Sequence, residues 1–156
     1  MINRLKIKDS LDVLDFVKNN KDNFEDFYIT VNRQRLFFNK DLKLIEKILK
    51  NQKCFGYYEK DLKGILFIIK EKGFRTYIKL LSLDNKINMC LLQYLNWNYS
   101  EQDMYFKLKK ENPICECIKK LGFSIIGNRG KELLFEKKGI KSNQVFIAKD
   151  DFNERK

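Results

Sequence analysis

The sequence predicts one α/β domain, a mixed central sheet with helices on both faces, and three observations carry that prediction. Along the 156 residues, apolar positions switch repeatedly between the period of a strand and that of a helix. The stretch Leu62-Lys-Gly-Ile-Leu-Phe-Ile-Ile69 is apolar on both faces, as a strand covered by helices on each side must be. The segment Asn112-Pro-Ile-Cys-Glu-Cys-Ile-Lys-Lys-Leu-Gly-Phe123 spells a helix with both ends marked. No internal repeat and no linker divides the chain, so residues 1–138 read as the domain and 139–156 as a tail or short extension.

Taken in order, Ile2 to Ile7 is a first strand with Leu5 and Ile7 on one face. Asp9-Ser10 then opens a helix carrying Leu11, Leu14 and Val17. Phe27-Tyr-Ile-Thr-Val31 has the β-branched and aromatic content of a short strand, and Asp41 to Lys50 returns to helical spacing through Leu42, Ile45, Ile48 and Leu49. Cys54 to Tyr58 and Leu62 to Ile69 form a hairpin around Glu59-Lys-Asp61, and the second arm is central. Gly73 breaks the chain before a strand at Tyr77 to Leu83. Ile87, Leu91, Leu92 and Leu95 place a helix over Asn85 to Trp97, and Met104 to Lys109 alternates as a half-buried strand. In the marked helix Asn112 caps the first turn, Pro113 gives up no needed hydrogen bond, and Gly122 supplies the left-handed residue past the end. Ile114, Cys117, Ile118 and Leu121 make its apolar face. Phe123 to Ile126 and Glu132 to Phe135 then flank the turn Gly127-Asn-Arg-Gly130, and beyond Lys138 only Val145-Phe-Ile147 is apolar.

Composition excludes several chemistries. The chain has no histidine, which removes Ser/His/Asp and Cys/His nucleophilic sites and every histidine-containing zinc site. Any acid or base working near neutral pH is then Glu, Asp, Cys, Tyr, Lys, a terminal amine or water. The first residues are too charged for a signal-peptide core and the longest aliphatic and aromatic run is the five of Ile65 to Ile69, so the expectation is a soluble, cytoplasmic protein without a membrane segment. Its four cysteines are expected as reduced thiols. Cys115 and Cys117 point about 200° apart on a helix and cannot grip one ion, so no metal site is expected. Thirty-two Lys and Arg against 21 Asp and Glu give a net charge of +11, which favours encounter with nucleic acid, CoA phosphates or an acidic protein.

The Asn112 to Phe123 segment resembles the last helix of the GNAT superfamily of acyl-CoA-dependent N-acyltransferases, where an Asn-Pro-x-x-x-x-Tyr-x-x-x-Gly-Phe-like stretch leads into the next strand. The order of elements across roughly Ile2 to Lys138 is also similar to the GNAT topology. The resemblance implies acetyl-CoA or another acyl-CoA as co-substrate, with an amine attacking the thioester directly. It also implies a tyrosine that reprotonates the thiolate, and that position is Ile118 here. The family's pyrophosphate turn, Arg/Gln-x-x-Gly-x-Gly/Ala, corresponds to Leu83-Asp-Asn-Lys-Ile-Asn-Met-Cys90. This stretch has no glycine, has Ile87 and Met89 where small residues are usual, and adds the charge of Asp84.

If the chain transfers an acyl group, the resemblance implies Glu71 as base, with Glu59 as a further carboxylate, and Lys86, Asn85 and Asn112 as cofactor contacts. Tyr94, Tyr99 and Tyr105 are the phenols to consider as acids. The other reading is a catalytically degenerate GNAT-like module that binds nucleic acid or a protein partner through its basic surface. Arg33-Gln-Arg35 with Phe37, Phe38, Trp97 and Tyr99 would then interleave cations and aromatics. Gly127 to Lys131 reads as a hairpin turn or an anion contact.

Overall fold

The computed structural model describes residues 1–20, 28–31, 33–38, 41–70, 75–82 and 84–140. Nine strands and four helices follow in the order β1 (Ile2–Arg4), α1 (Ser10–Asn19), β2 (Tyr28–Val31), β3 (Gln34–Phe37), α2 (Leu42–Asn51), β4 (Lys53–Tyr58), β5 (Leu62–Lys70), β6 (Thr76–Leu81), α3 (Asn85–Asn98), β7 (Met104–Lys109), α4 (Ile114–Lys120), β8 (Ser124–Arg129) and β9 (Glu132–Lys137) among the described residues. Seven strands form one sheet in the order β1-β4-β5-β6-β7-β9-β8, and β2 and β3 form a separate hairpin. All neighbours in the large sheet are antiparallel except β6 and β7.

Alternation along the strands sorts side chains into two cores. On one face Ile65, Phe67 and Ile69 of β5 pack with Val13 and Val17 of α1, Ile45, Ile48 and Leu49 of α2, and Phe38. On the other, Leu66 and Ile68 join Ile78 and Leu80 of β6, Phe106 and Leu108 of β7, and the buried faces of α3 and α4. The central position expected for the Leu62 strand is the one it holds, because only an interior strand between two helical layers buries the five consecutive side chains Ile65 to Ile69.

Helix ends follow local chemistry. Asp41 Oδ1 accepts the Leu44 amide at 3.1 Å and starts α2. Asn112 Oδ1 accepts the Ile114 amide at 3.0 Å and starts α4. At the far end of α4, Gly122 takes φ of 100°, the Phe123 amide donates to the Ile118 carbonyl at 3.0 Å and the Gly122 amide to Lys119 at 3.1 Å. That pair of bonds is the Schellman closure the glycine predicts.

Several expectations are corrected. The first strand ends at Arg4; Leu5 is buried, but Ile7 is exposed at the start of a short 3-10 turn. Leu11 is exposed, because the buried stripe of α1 runs through Ser10, Val13, Leu14 and Val17, to which Leu11 does not belong. The stretch Gly127 to Arg129 belongs to β8, not to a loop, and the turn is confined to Gly130 and Lys131. Strand β3 was not foreseen, because its turn residue Arg33 has φ of 66°, a conformation usually announced by glycine or asparagine. Phe27, Gly73, Leu83 and Val145 to Ile147 lie outside the described residues.

The thiols differ in reach, which gives a direct check on the core. Burial against β5 and α1 pushes the Cys54 thiol up to about 12, while Cys90 is exposed on α3. Iodoacetamide at pH 8 is expected to modify Cys90 fully and leave Cys54 untouched until denaturant is added, as read by peptide mass spectrometry. Native labelling of Cys54 would contradict this packing.

Candidate functional site

Strands β6 and β7 are parallel neighbours with six residues each, yet they pair only at Thr76–Met104 and Tyr77–Tyr105. Beyond that point the two strands part, and α3 rises from the end of β6. Helix α3 lies close against the sheet because β5 carries Gly64 beneath it. A Cβ there would meet Ile87 Cγ2 at 2.7 Å and Leu91 Cδ1 at 3.1 Å. Ile87 therefore packs down onto β5, and Ile78, Leu80, Phe106, Leu108 and Ile118 are buried in the core on the α3 and α4 side of these strands.

The turn into α3 bonds two of its helix-start amides to its own carboxylate. Asp84 Oδ1 accepts the Lys86 amide at 2.8 Å and the Ile87 amide at 3.4 Å. These helix-start donors are the groups that would otherwise face an anion. Ser82 Oγ accepts the Asp84 amide at 3.1 Å, and Asn88 Nδ2 donates to the Ser82 carbonyl at 3.3 Å. Asn88 Oδ1 is buried and has no partner.

The same end of the sheet is acidic. A half-open cavity of about 920 Å³ is lined by Asp12 and Asp15 of α1, Glu59 and Asp61 of the β4–β5 turn, and Asp84. Only Lys60 and Lys63 oppose these five carboxylates among its lining residues. In a chain of net charge +11 this is a local reversal of sign. Each like-charge pair at ~4 Å costs a phosphate between ~1 kcal/mol in water and ~4 kcal/mol at a partly shielded surface.

The opposite face of β6 and β7 is basic and aromatic. Tyr77 and Tyr105 sit side by side with ring centroids 5.9 Å apart, Lys107 Nζ lies 4.7 Å above the Tyr77 ring, and the Arg75 guanidinium lies 4.6 Å above Tyr105. The Tyr105 hydroxyl donates to Glu136 Oε2 at 2.7 Å; that bond, and then burial, hold its pKa above the usual phenol value. Lys79 Nζ reaches the Tyr28 ring of the β2–β3 hairpin at 4.4 Å, and Arg35 stacks on the same ring at 4.7 Å.

Against this geometry the sequence-predicted site residues divide. Lys86 and Asn85 are exposed at the start of α3, where the resemblance put them, but the Lys86 amide is held by Asp84. Asn112 is buried at the start of α4 with its side-chain oxygen on the Ile114 amide. Glu71 lies outside the described residues. Glu59 lines the acidic cavity. The three phenols do not share a site. Tyr94 and Tyr99 stack on Phe55 of β4 beneath α3, whereas Tyr105 is on the other face. The expected set of cations and aromatics is also split, since Phe38 is buried against Phe67 while Trp97 projects from α3 on the other side of the sheet. What sequence reasoning missed is the pairing of Tyr77-x-Lys79 with Tyr105-x-Lys107, whose two-residue spacing already placed each tyrosine and lysine on one face.

Comparison with solved structures establishes the class of fold. The N-acetyltransferase from Staphylococcus aureus Mu50 is similar with a TM-score of 0.66 at 20% identity, over 88% of this chain and 96% of that one. A GNAT-family acetyltransferase from Streptococcus pneumoniae gives 0.64 at 16% identity, over 88% and 97%. The PaiA N-acetyltransferase from Thermoplasma acidophilum, in complex with coenzyme A, gives 0.63 at 12% identity, over 88% and 98%. No protein-family model matches the chain, and no curated protein matches it by sequence. The chain has the GNAT fold, with a mixed seven-stranded sheet between two helical layers. No helix among the described residues is long and apolar enough to cross a membrane, and no group of three or more His, Cys, Asp or Glu among them could hold a metal ion.

Tested on its own residues, the α3 turn does not fit the diphosphate of an acyl-CoA. Two of the helix-start donors that would hold the phosphates are bonded to the Asp84 carboxylate, and four more carboxylates line the cavity that Asp84 borders. The orphan Asn88 Oδ1 suits an N–H donor, not a phosphate.

Proposed function

We propose that this chain is a GNAT-fold binding module in which acyl transfer has been given up. The observation that carries the reading is the Asp84 carboxylate seated on the Lys86 and Ile87 amides. A bound diphosphate would have to displace that carboxylate and then tolerate it nearby, on the edge of an already acidic cavity. Ile118 supports the same conclusion, because a fully buried branched alkyl group stands where the resemblance calls for a proton donor.

A second reading, an acyl-CoA-dependent N-acyltransferase with an atypical phosphate turn, is favoured by one feature. The parting of β6 and β7 is retained, with the unpartnered Asn88 acceptor on the helix that leaves it. In that reading Lys86 and Asn85 contact the cofactor, and Glu71 is the base.

Isothermal titration with acetyl-CoA and with CoA separates the two. The expected result is no heat of binding up to millimolar ligand. A dissociation constant in the micromolar range for either ligand would overturn the binding-module reading and restore the enzyme.

A further inference from the structure

We infer that the face of the sheet along β6 and β7 that no helix covers among the described residues, beside the β2–β3 hairpin, binds single-stranded nucleic acid. The argument begins with where charge lies. The end of the sheet at the α3 turn is lined by five carboxylates and two lysines, so an anionic partner is repelled there. The middle of the opposite face presents Arg75, Lys79 and Lys107 in reach of one another's tyrosines, with Arg35 added by the hairpin. Glu136 bounds this strip on β9, where it is tied to the Tyr105 hydroxyl and to Lys138 at 3.5 Å. A polyanion is thus directed away from the α3 turn and toward β6, β7 and the hairpin.

Strand geometry then selects the kind of polyanion. Tyr77 and Lys79 follow each other at two-residue spacing on β6, and Tyr105 and Lys107 do so on β7, with Tyr77 opposite Tyr105. All four consequently face the same side, with rings and cations interleaved at the spacing of neighbouring strands. Tyr105 is only 5% exposed, so Tyr77 is the ring of that pair within reach, while Phe37 of the hairpin is 55% exposed beside Tyr28. Aromatic rings on a sheet face hold unpaired bases by stacking while nearby cations meet the phosphates. An acidic peptide would use the cations and leave the rings idle. A duplex would hide its bases, leaving the rings without a partner. The inference is independent of the fate of acyl-CoA, since a chain that bound both would show heat with CoA and still bind the strand here.

The test is fluorescence anisotropy with labelled oligo(dT) and oligo(U) of about 12 nucleotides, within the ~4–16 typical of such sites. Binding is expected in the micromolar range at ~50 mM salt. With about three phosphates neutralised, log K should fall against log salt with a slope of about −2. Lys107→Glu and Tyr77→Ala should each weaken binding about tenfold. Lys120→Glu makes the same change of charge on exposed α4, in the other helical layer, and should have less than a ~2-fold effect. Unchanged melting temperatures of the variants, and a parallel loss in Lys107→Gln, show that the effect is not one of folding. No binding at ~1 mM protein, a flat salt response, or an equal loss in Lys120→Glu would overturn the inference. Equal affinity for duplex DNA, or for polyglutamate, would overturn it in favour of a plain basic surface.

Discussion

Phe106→Ala should remove about 3–5 kcal/mol of stability, a large share of the ~5–15 kcal/mol a domain of this size possesses. Phe106 is 0% exposed, meets Phe123 edge-on at a centroid distance of 5.2 Å, and lies opposite Phe135, itself fully buried. It is also the first β7 residue beyond the last pair made with β6. On that side the neighbouring strand cannot simply slide in to fill the space, because the two backbones are already parting. The loss should therefore fall toward the upper end of the range, where a cavity persists instead of collapsing. Urea unfolding reads this as a lower midpoint at unchanged m. A loss below ~1 kcal/mol would mean that the region where β6 and β7 separate is not close-packed, and that there is room along it for a ligand.

The parts of this architecture that were legible in the sequence are those whose cause is local. Gly122 announces the end of α4, because only a residue tolerant of positive φ lets the Phe123 amide reach back to Ile118. The run Ile65 to Ile69 announces a strand with helices on both sides, since no other place in an α/β domain hides five consecutive apolar side chains. Legibility ends where contacts are made between distant segments. Asp84 reads equally well as a turn residue or a helix cap; only the structure shows its carboxylate on the Lys86 amide. The acidic cavity draws on α1, the β4–β5 turn and the start of α3, and nothing in those stretches alone marks them as neighbours. The basic face depends on a parallel pairing between Tyr77 and Tyr105, with all of α3 intervening. The order of elements is legible in the apolar period and the resemblance adds the family it is similar to, while the departures at Ile118 and Asp84 are visible as letters without their packing.

Ile118→Tyr should cost about 2–4 kcal/mol and should not create an acyltransferase. The substitution restores the tyrosine of the GNAT-like segment, so the outcome separates architecture from chemistry at one position. Ile118 is 0% exposed and sits among Phe106, Phe123, Ile114 and other members of the core shared by α3, α4 and β7. A phenol ring there must displace close-packed neighbours, and its hydroxyl enters an apolar cluster where it either finds a partner or remains unbonded. Chemical denaturation measures the cost directly, and titration with acetyl-CoA on the same variant measures any gain of function. Were the variant as stable as the parent, the space beside α4 would be open, wide enough for a ring and by the same measure for a pantetheine arm. That result would return weight to the enzyme reading even if the parent chain bound no CoA. A large loss of stability with no CoA binding would show that the apolar residue is part of the core, and that changing one letter of the motif cannot recover a site whose phosphate end is closed by Asp84.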